Sequence, residues 1–524
     1  MISGKHRRLS GAALLGMLLT SAVEAQTLRV GLSAAITSMD PHFHLATPNM
    51  AAAAHIYDRL VNFDESSRIV AGLAEDWRPD GDTAWIFTLR RGVTFHDGSP
   101  LTAEDVVASF ARAPSVPNSP SGFGIVTGNI AAIEVVDART LRIHTRAPHP
   151  LLPNDAAQIN IIRAATRTAS TAEFNTGRAA IGTGPYRFVA WTPGDRLSLE
   201  RNRDWWGGQT PWASVELRIL SSDPTRVAAL LAGDVDVIEN VPPSDVDRVS
   251  RNAGLAVTRT TSARLMYLAL DQAREPPPFV STTDRQSAGL NPLKDVRVRR
   301  ALSLAIDRQA LADRLLLGEA EPTLNVVPAG LFGHDPALAP PPANLLEARR
   351  LLSEAGYGSG FSLTLHAPND RFVSDERVAQ AIGQMFTRIG VRTQIEALPW
   401  TVFAPRASRL EFGAMLVGAN SITGEASGIL RLLLATFNRE TGAGPLNRGR
   451  YSNPEFDRLL GTALATLDDS TRERLLRQAV RVAMTDVGIL PLYFQKSIWG
   501  HRAAMVPTPR ADEQTLAHFI RAAR

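Results

Sequence analysis

The chain has 524 residues, a formal net charge of +4 and no cysteine. The length implies more than one domain, and the missing thiols exclude disulfides, thiolate zinc sites, iron–sulfur clusters and cysteine nucleophiles. Residues 1–25 hold +2 of the net charge, with Lys5, Arg7 and Arg8 against Glu24, and elsewhere Arg alternates with Asp and Glu, so nothing points to a nucleic-acid partner.

The first segment in chain order has the layout of a secretory signal peptide. Lys5, His6, Arg7 and Arg8 form a basic start, Leu9 through Leu19 an apolar stretch, and Val23 and Ala25 the small residues of a cleavage site. The expected mature protein is periplasmic, cleaved near Ala25, and not a lipoprotein, since no cysteine is available for lipid. No later run approaches the roughly 18 apolar residues of a membrane span.

The mature chain alternates strands and helices. Leu28, Val30 and Leu32 alternate as in a strand, and so do Trp85, Phe87 and Leu89, which Val93 and Phe95 continue. His96-Asp97-Gly98 reads as a turn, and Thr102 with Asp105 as the capping box of a helix. Residues 113–124 read as a loop, Leu141–His144 as a strand, and Gly182-Thr183-Gly184-Pro185-Tyr186 as a turn into another strand. Asp223-Pro224 starts a helix that Gly233 ends, before a strand at Val235–Ile238. Residues 273–292 read as a loop. Helical stripes follow at Val298–Ile306 and after Asn344, the latter stopped at Gly356. A strand at Leu363–Leu365, a helix capped by Ser374 and stopped at Gly390, and a strand at Val391–Ile395 make a βαβ unit. That unit predicts an α/β fold with parallel pairing.

Catalytic signatures are missing from the sequence. Gly424-Glu425-Ala426-Ser427-Gly428 has the wrong spacing for a nucleophile elbow. Lysine occurs only at 5, 294 and 496, where no Ser-x-x-Lys pair and no phosphate-binding loop forms. His42, His44 and His55 lack the helical spacing of metal ligands and are assigned to loops. The reading is of a protein that is not an enzyme and holds no cofactor or metal.

A series of local motifs is similar to the family 5 extracellular solute-binding proteins, the peptide/nickel type of ABC importer subunit. In family order these are Thr37-Ser38-Met39-Asp40-Pro41-His42, Tyr57-Asp58-Arg59-Leu60-Val61 and Gly72-Leu73-Ala74-Glu75-Asp76-Trp77. Phe87 through Gly98, Leu101 through Val106, Gly182 through Tyr186, Leu231 through Asp236, Val298 through Leu302, Ala348 through Tyr357 and Tyr451 through Glu455 continue the series. The resemblance implies two α/β lobes around a cleft, with an extra domain inserted into the first lobe. The first lobe takes residues 26–50, 181–270 and 487–524, the insertion 51–180, and the second lobe 271–486, with hinge crossings near 270 and 486. It also implies a monomer that closes on a peptide or peptide-like solute and delivers it to membrane permease subunits. Nickel chelates, glutathione, opines and sugars stay open as ligands. A sensory protein and a secreted hydrolase are the alternative classes.

The resemblance also implies where the ligand is held. An acidic loop after a Gly-Trp strand end pairs with a peptide's amino terminus in relatives. Here that run is Gly418 through Glu425, with Ala419 in place of the tryptophan and Glu425 as the acid. Arg371 occupies the place of a carboxylate-binding arginine. Trp400, Asn420, Ser421 and Tyr267 complete the expected ligand contacts.

Overall fold

A computed structural model describes residues 27–120, 122–282, 289–421 and 423–523. The expected signal peptide lies outside the described residues. Leu28, Val30 and Leu32 are buried on the strand Thr27–Leu32, which pairs in parallel with Ser214–Ile219 and Val237–Ile238. The helix Asp223–Ala232 connects the last two and ends on Gly233 at φ 83°, a left-handed conformation that glycine adopts without a Cβ clash. Its N-cap is Ser222. Asp223, one residue inside, pairs with Arg226.

The βαβ unit forms as expected. Phe361–Pro368 and Arg392–Leu398 run parallel, joined by the helix Asp375–Thr387. Val378, Ile382 and Phe386 on that helix bury against Leu363 and Leu365. Ser374 does not cap the helix through its side chain. It adopts φ 55°, and the Asp375 carboxylate accepts from the backbone N–H groups of Arg371 and Phe372, at 3.1 and 3.0 Å. The other oxygen of this carboxylate accepts from the Glu376 N–H in the first turn of the helix at 3.0 Å.

These two regions lie in one twelve-stranded sheet. Among the described residues, the strands Leu255–Leu270 and Leu490–Arg502 join its halves. Leu255–Thr261 pairs with Lys496–Arg502 beside Val237–Ile238, whereas Arg264–Leu270 pairs with Ala414–Asn420. The register of the two long strands shifts between Thr261 and Leu265. Beyond that shift Met266, Leu268 and Leu270 enter one core and Leu265, Tyr267 and Ala269 another, so both faces are covered.

A separate antiparallel sheet takes the order Ala74–Pro79, Ala84–Leu89, Thr140–Thr145, Ile130–Val135. It has its own core, with Phe87 and Leu141 packed against Val106 and Phe110 of the helix Ala103–Arg112. The Thr102–Asp105 capping box is present. Val93 and Phe95 are buried without extending the strand, because Thr94 pairs back onto Pro100 around the expected turn. At Gly182 an added Cβ would overlap the Ile56 carbonyl, which explains the glycine where the chain crosses the end of the helix Thr47–Ile56.

The loops were less regular in sequence than in space. Residues 113–124 contain the 3-10 turn Ala113–Ser115 and run into the helix Gly124–Thr127. The segment after the prolines at 276–278 forms the short strand Val280–Thr282, recruited by pairing with Phe361–Leu363. His42 donates to the Asn160 carbonyl at 2.8 Å, and His55 Nδ1 to the Ala51 carbonyl at 2.8 Å. These two rings serve as buried structural donors.

Candidate functional site in the cleft

Parallel strands present their carboxyl ends to one side, where the chain turns away and leaves side chains free to meet a ligand. Here Thr27–Leu32 delivers Ser33, Val237–Ile238 delivers Glu239, and Phe361–Pro368 delivers Asn369, Asp370 and Arg371 to the same space. That space is a cleft of about 740 Å³ with Ser33, Thr47, Glu239 and Thr515 on one side and Leu317, Arg371 and Phe372 on the other. Arg264, Gln495 and Glu513 also line it, and the first two belong to the long joining strands.

The charges in the cleft are not equivalent. Arg264 pairs with Glu513, its Nε 2.9 Å from Oε1, and both are largely buried. Burial alone would raise the Glu513 pKa, but Arg264, helped by the Ser262 hydroxyl and Arg371, outweighs it and holds the carboxyl below its ordinary value. Arg371 forms no ion pair among the described residues. Its guanidinium lies 5.7 Å from the Phe372 ring centre and 5.4 Å from that of Trp400. Desolvation by the walls, and then the like charge of Arg264, lower its pKa. A guanidinium in that position favours an incoming anion.

A second space of about 610 Å³ lies between the antiparallel-sheet region and the loops around Gly330 and Gly424. Trp77, Trp85, Phe332, Glu425 and Arg472 line it. Glu425 is 3% exposed and bound by Arg472 Nη1 at 2.8 and 2.6 Å and by the Ser427 hydroxyl. Burial pushes its pKa above the ordinary carboxylate value, although Arg472 and Ser427 pull the other way.

The family model described as bacterial extracellular solute-binding proteins, family 5 Middle, matches residues 68–441. The chain belongs to this family. It is similar to the glutathione-binding protein GsiB of Escherichia coli (strain K12), 27% identical over 518 residues and 96% of each chain. Among solved structures it resembles HbpA2 from Haemophilus parasuis, with a TM-score of 0.79, 24% identity, and 95% of this chain and 100% of that one covered. The periplasmic binding protein DppA from Helicobacter pylori, in complex with the peptide STSA, gives a TM-score of 0.79 at 22% identity, covering 95% and 98%. These likenesses establish the two-lobed α/β fold of periplasmic binding proteins.

The expected ligand residues of this family 5 protein separate in space. Arg371 lines the cleft. Trp400 backs it, stacked on Phe403 at 5.8 Å, with its backbone N–H held by Asp370 at 2.7 Å. Asn420 sits opposite Arg264 in the sheet, its Oδ1 buried without a hydrogen-bond partner among the described residues. Ser421 is buried and donates to the Glu425 carbonyl at 2.8 Å. Tyr267 belongs to the core, where burial pushes its hydroxyl up to about 12. Glu425 lines the second space and is already paired. Arg264, Glu513 and Glu239 were not found from sequence. Glu239 carried a local signal, being the polar residue directly after the strand Val237–Ile238. Glu513 carried none, because only the tertiary return of the C-terminal segment brings it beside Arg264.

Proposed function

We propose that this protein is the periplasmic substrate-binding subunit of an ABC importer and captures a peptide or peptide-like solute in the cleft. The observation that carries the reading is Arg371, a guanidinium without an ion pair, opposite a wall built from the other half of the sheet. The solute's carboxylate docks on Arg371, and Phe372 and Trp400 flank the cation. Asn420 and Ser421 shape the loop nearby. The similarity to glutathione-binding and peptide-bound relatives supports a ligand of this size and polarity. The protein acts as a monomer, and its cargo is released to permease subunits unchanged.

Capture proceeds by closure of the second lobe, expected over residues 271–486 and here extended through the paired strand ends 265–270 and 487–494, against the rest of the chain, with residues 51–180 as the inserted domain. Two strands join the halves, and the register shift at Thr261–Leu265 interrupts their ladder. We assign the bend to that shift and to the facing residues Phe494–Lys496, inside the long strands instead of at 270 and 486. A ligand touching both walls favours the closed form by the contacts it makes only there.

Native mass spectrometry of the purified mature protein tests the reading. A small carboxylate-bearing solute, released intact on denaturation, is the expected result. A ligand without a carboxylate, or a bound reaction product of an added peptide, would contradict it.

A further inference from the structure

Glu239 lies across the cleft from Arg371, on the wall opposite the acids Asp370, Asp375 and Glu376. Three hydrogen bonds fix its carboxylate. The Ser33 backbone N–H and hydroxyl reach Oε1 at 2.9 and 2.8 Å, and the Thr515 hydroxyl reaches Oε2 at 2.9 Å. The direction of the hydroxyl bonds is determined. Trp499 Nε1–H donates to the Thr515 oxygen at 2.9 Å, so the Thr515 proton is free to point at Glu239. Asn240 donates to the Ser33 oxygen at 2.7 Å, with the same consequence there. Trp499 and Thr515 are buried, so this is a built support and not a chance surface contact.

All of these donors are neutral. Among the described residues no cation pairs with the Glu239 carboxylate, although Arg226 donates to its backbone carbonyl at 2.9 Å, whereas Glu513 is matched by Arg264 and Asp223 by Arg226. Asp370, Asp375 and Glu376 also form no ion pair among the described residues, but they stand on Arg371's own wall. A carboxylate oxygen accepts about two hydrogen bonds, so Oε1 is filled by Ser33 and Oε2, which takes only the Thr515 hydroxyl, keeps capacity for a further donor. Among the described residues, one wall therefore presents a fixed carboxylate without an ion pair and the other a guanidinium without one.

We propose that Glu239 receives the ammonium group of a zwitterionic ligand whose carboxylate meets Arg371. This assignment rests on the cleft being the ligand site as proposed above. It moves the amine partner from Glu425, which Arg472 already neutralises, to the opposite lobe. A zwitterion spanning the walls makes one charge-assisted contact to each, and both coexist only when the cleft is closed.

Calorimetric titration with reduced glutathione and with trialanine, each as the free amine and as its N-acetyl derivative, tests this. The wild type is expected to prefer the free amine by roughly tenfold or more, as for a hydrogen bond between charged groups. Glu239→Gln is expected to bind both forms alike, and Glu239→Asp to keep the preference. A Glu239→Gln protein that retains the amine preference, or that loses affinity for both forms equally, overturns the assignment. Failure of the wild type to bind any of the four probes overturns the reading of the cleft itself, and this assignment with it.

Discussion

Arg371 and Glu425 carry opposite charges, and what surrounds each decides its role. Among the described residues Arg371 lines the cleft without an ion pair, so its charge is available. Glu425 spends its charge on Arg472 and Ser427 inside the protein. Removing one member of a buried pair leaves the other desolvated and alone, which costs about 3 kcal/mol. Glu425→Gln is therefore expected to lower the unfolding free energy by that order in urea denaturation, with ligand affinity unchanged within about twofold. The motif showed that an acid stands at 425. Its partner Arg472 is 47 positions away on the helix Asp469–Thr485, and local sequence carries no sign of that contact.

At the scale of elements, the strand–helix–strand unit at 361–398 and the capped helix at 103–112 were legible because period and caps are local properties. The turn at His96–Gly98 was legible too, but the short strand Val280–Thr282 and the bridge of Thr94 to Pro100 that ends the strand before Val93 were not, since each exists through pairing with another segment. The loop at 423–425 is a further example. Asn154 donates to the Thr423 carbonyl at 2.7 Å, and Gly424, at φ 68°, lies against the Ser67 carbonyl with no room for a Cβ. These contacts tie the segments around Ser67 and Asn154 to the loop at 423–425. Gly424→Ala is expected to lower the unfolding free energy by about 1–3 kcal/mol, because the added Cβ overlaps the Ser67 carbonyl at a left-handed φ. Urea denaturation checks this, and an unchanged midpoint would contradict the contact.

For the whole molecule, pH acts through histidines buried as neutral rings. Burial lowers His42, His55 and His96 to about 4 and His518 well below its ordinary value. The unfolded chain protonates these groups near 6.5 and the folded chain does not, so the unfolded state binds more protons between those values. Stability is then full above 6.5 and falls as the pH drops toward 4. Between pH 6.5 and 5 the melting temperature is expected to decrease steadily in differential scanning calorimetry, and a flat profile would contradict this placement of the rings.

In the proposed reading, capture depends on two lobes that share two strands and on Arg371 and Glu239, which line one cleft. Titration of the wild type and of Arg371→Ala with reduced glutathione and trialanine tests it most directly. The account predicts saturable 1:1 binding by the wild type to at least one probe, weakened by roughly 10- to 100-fold in Arg371→Ala, with an unchanged melting temperature of the unliganded protein. Equal affinity in the two proteins would contradict it.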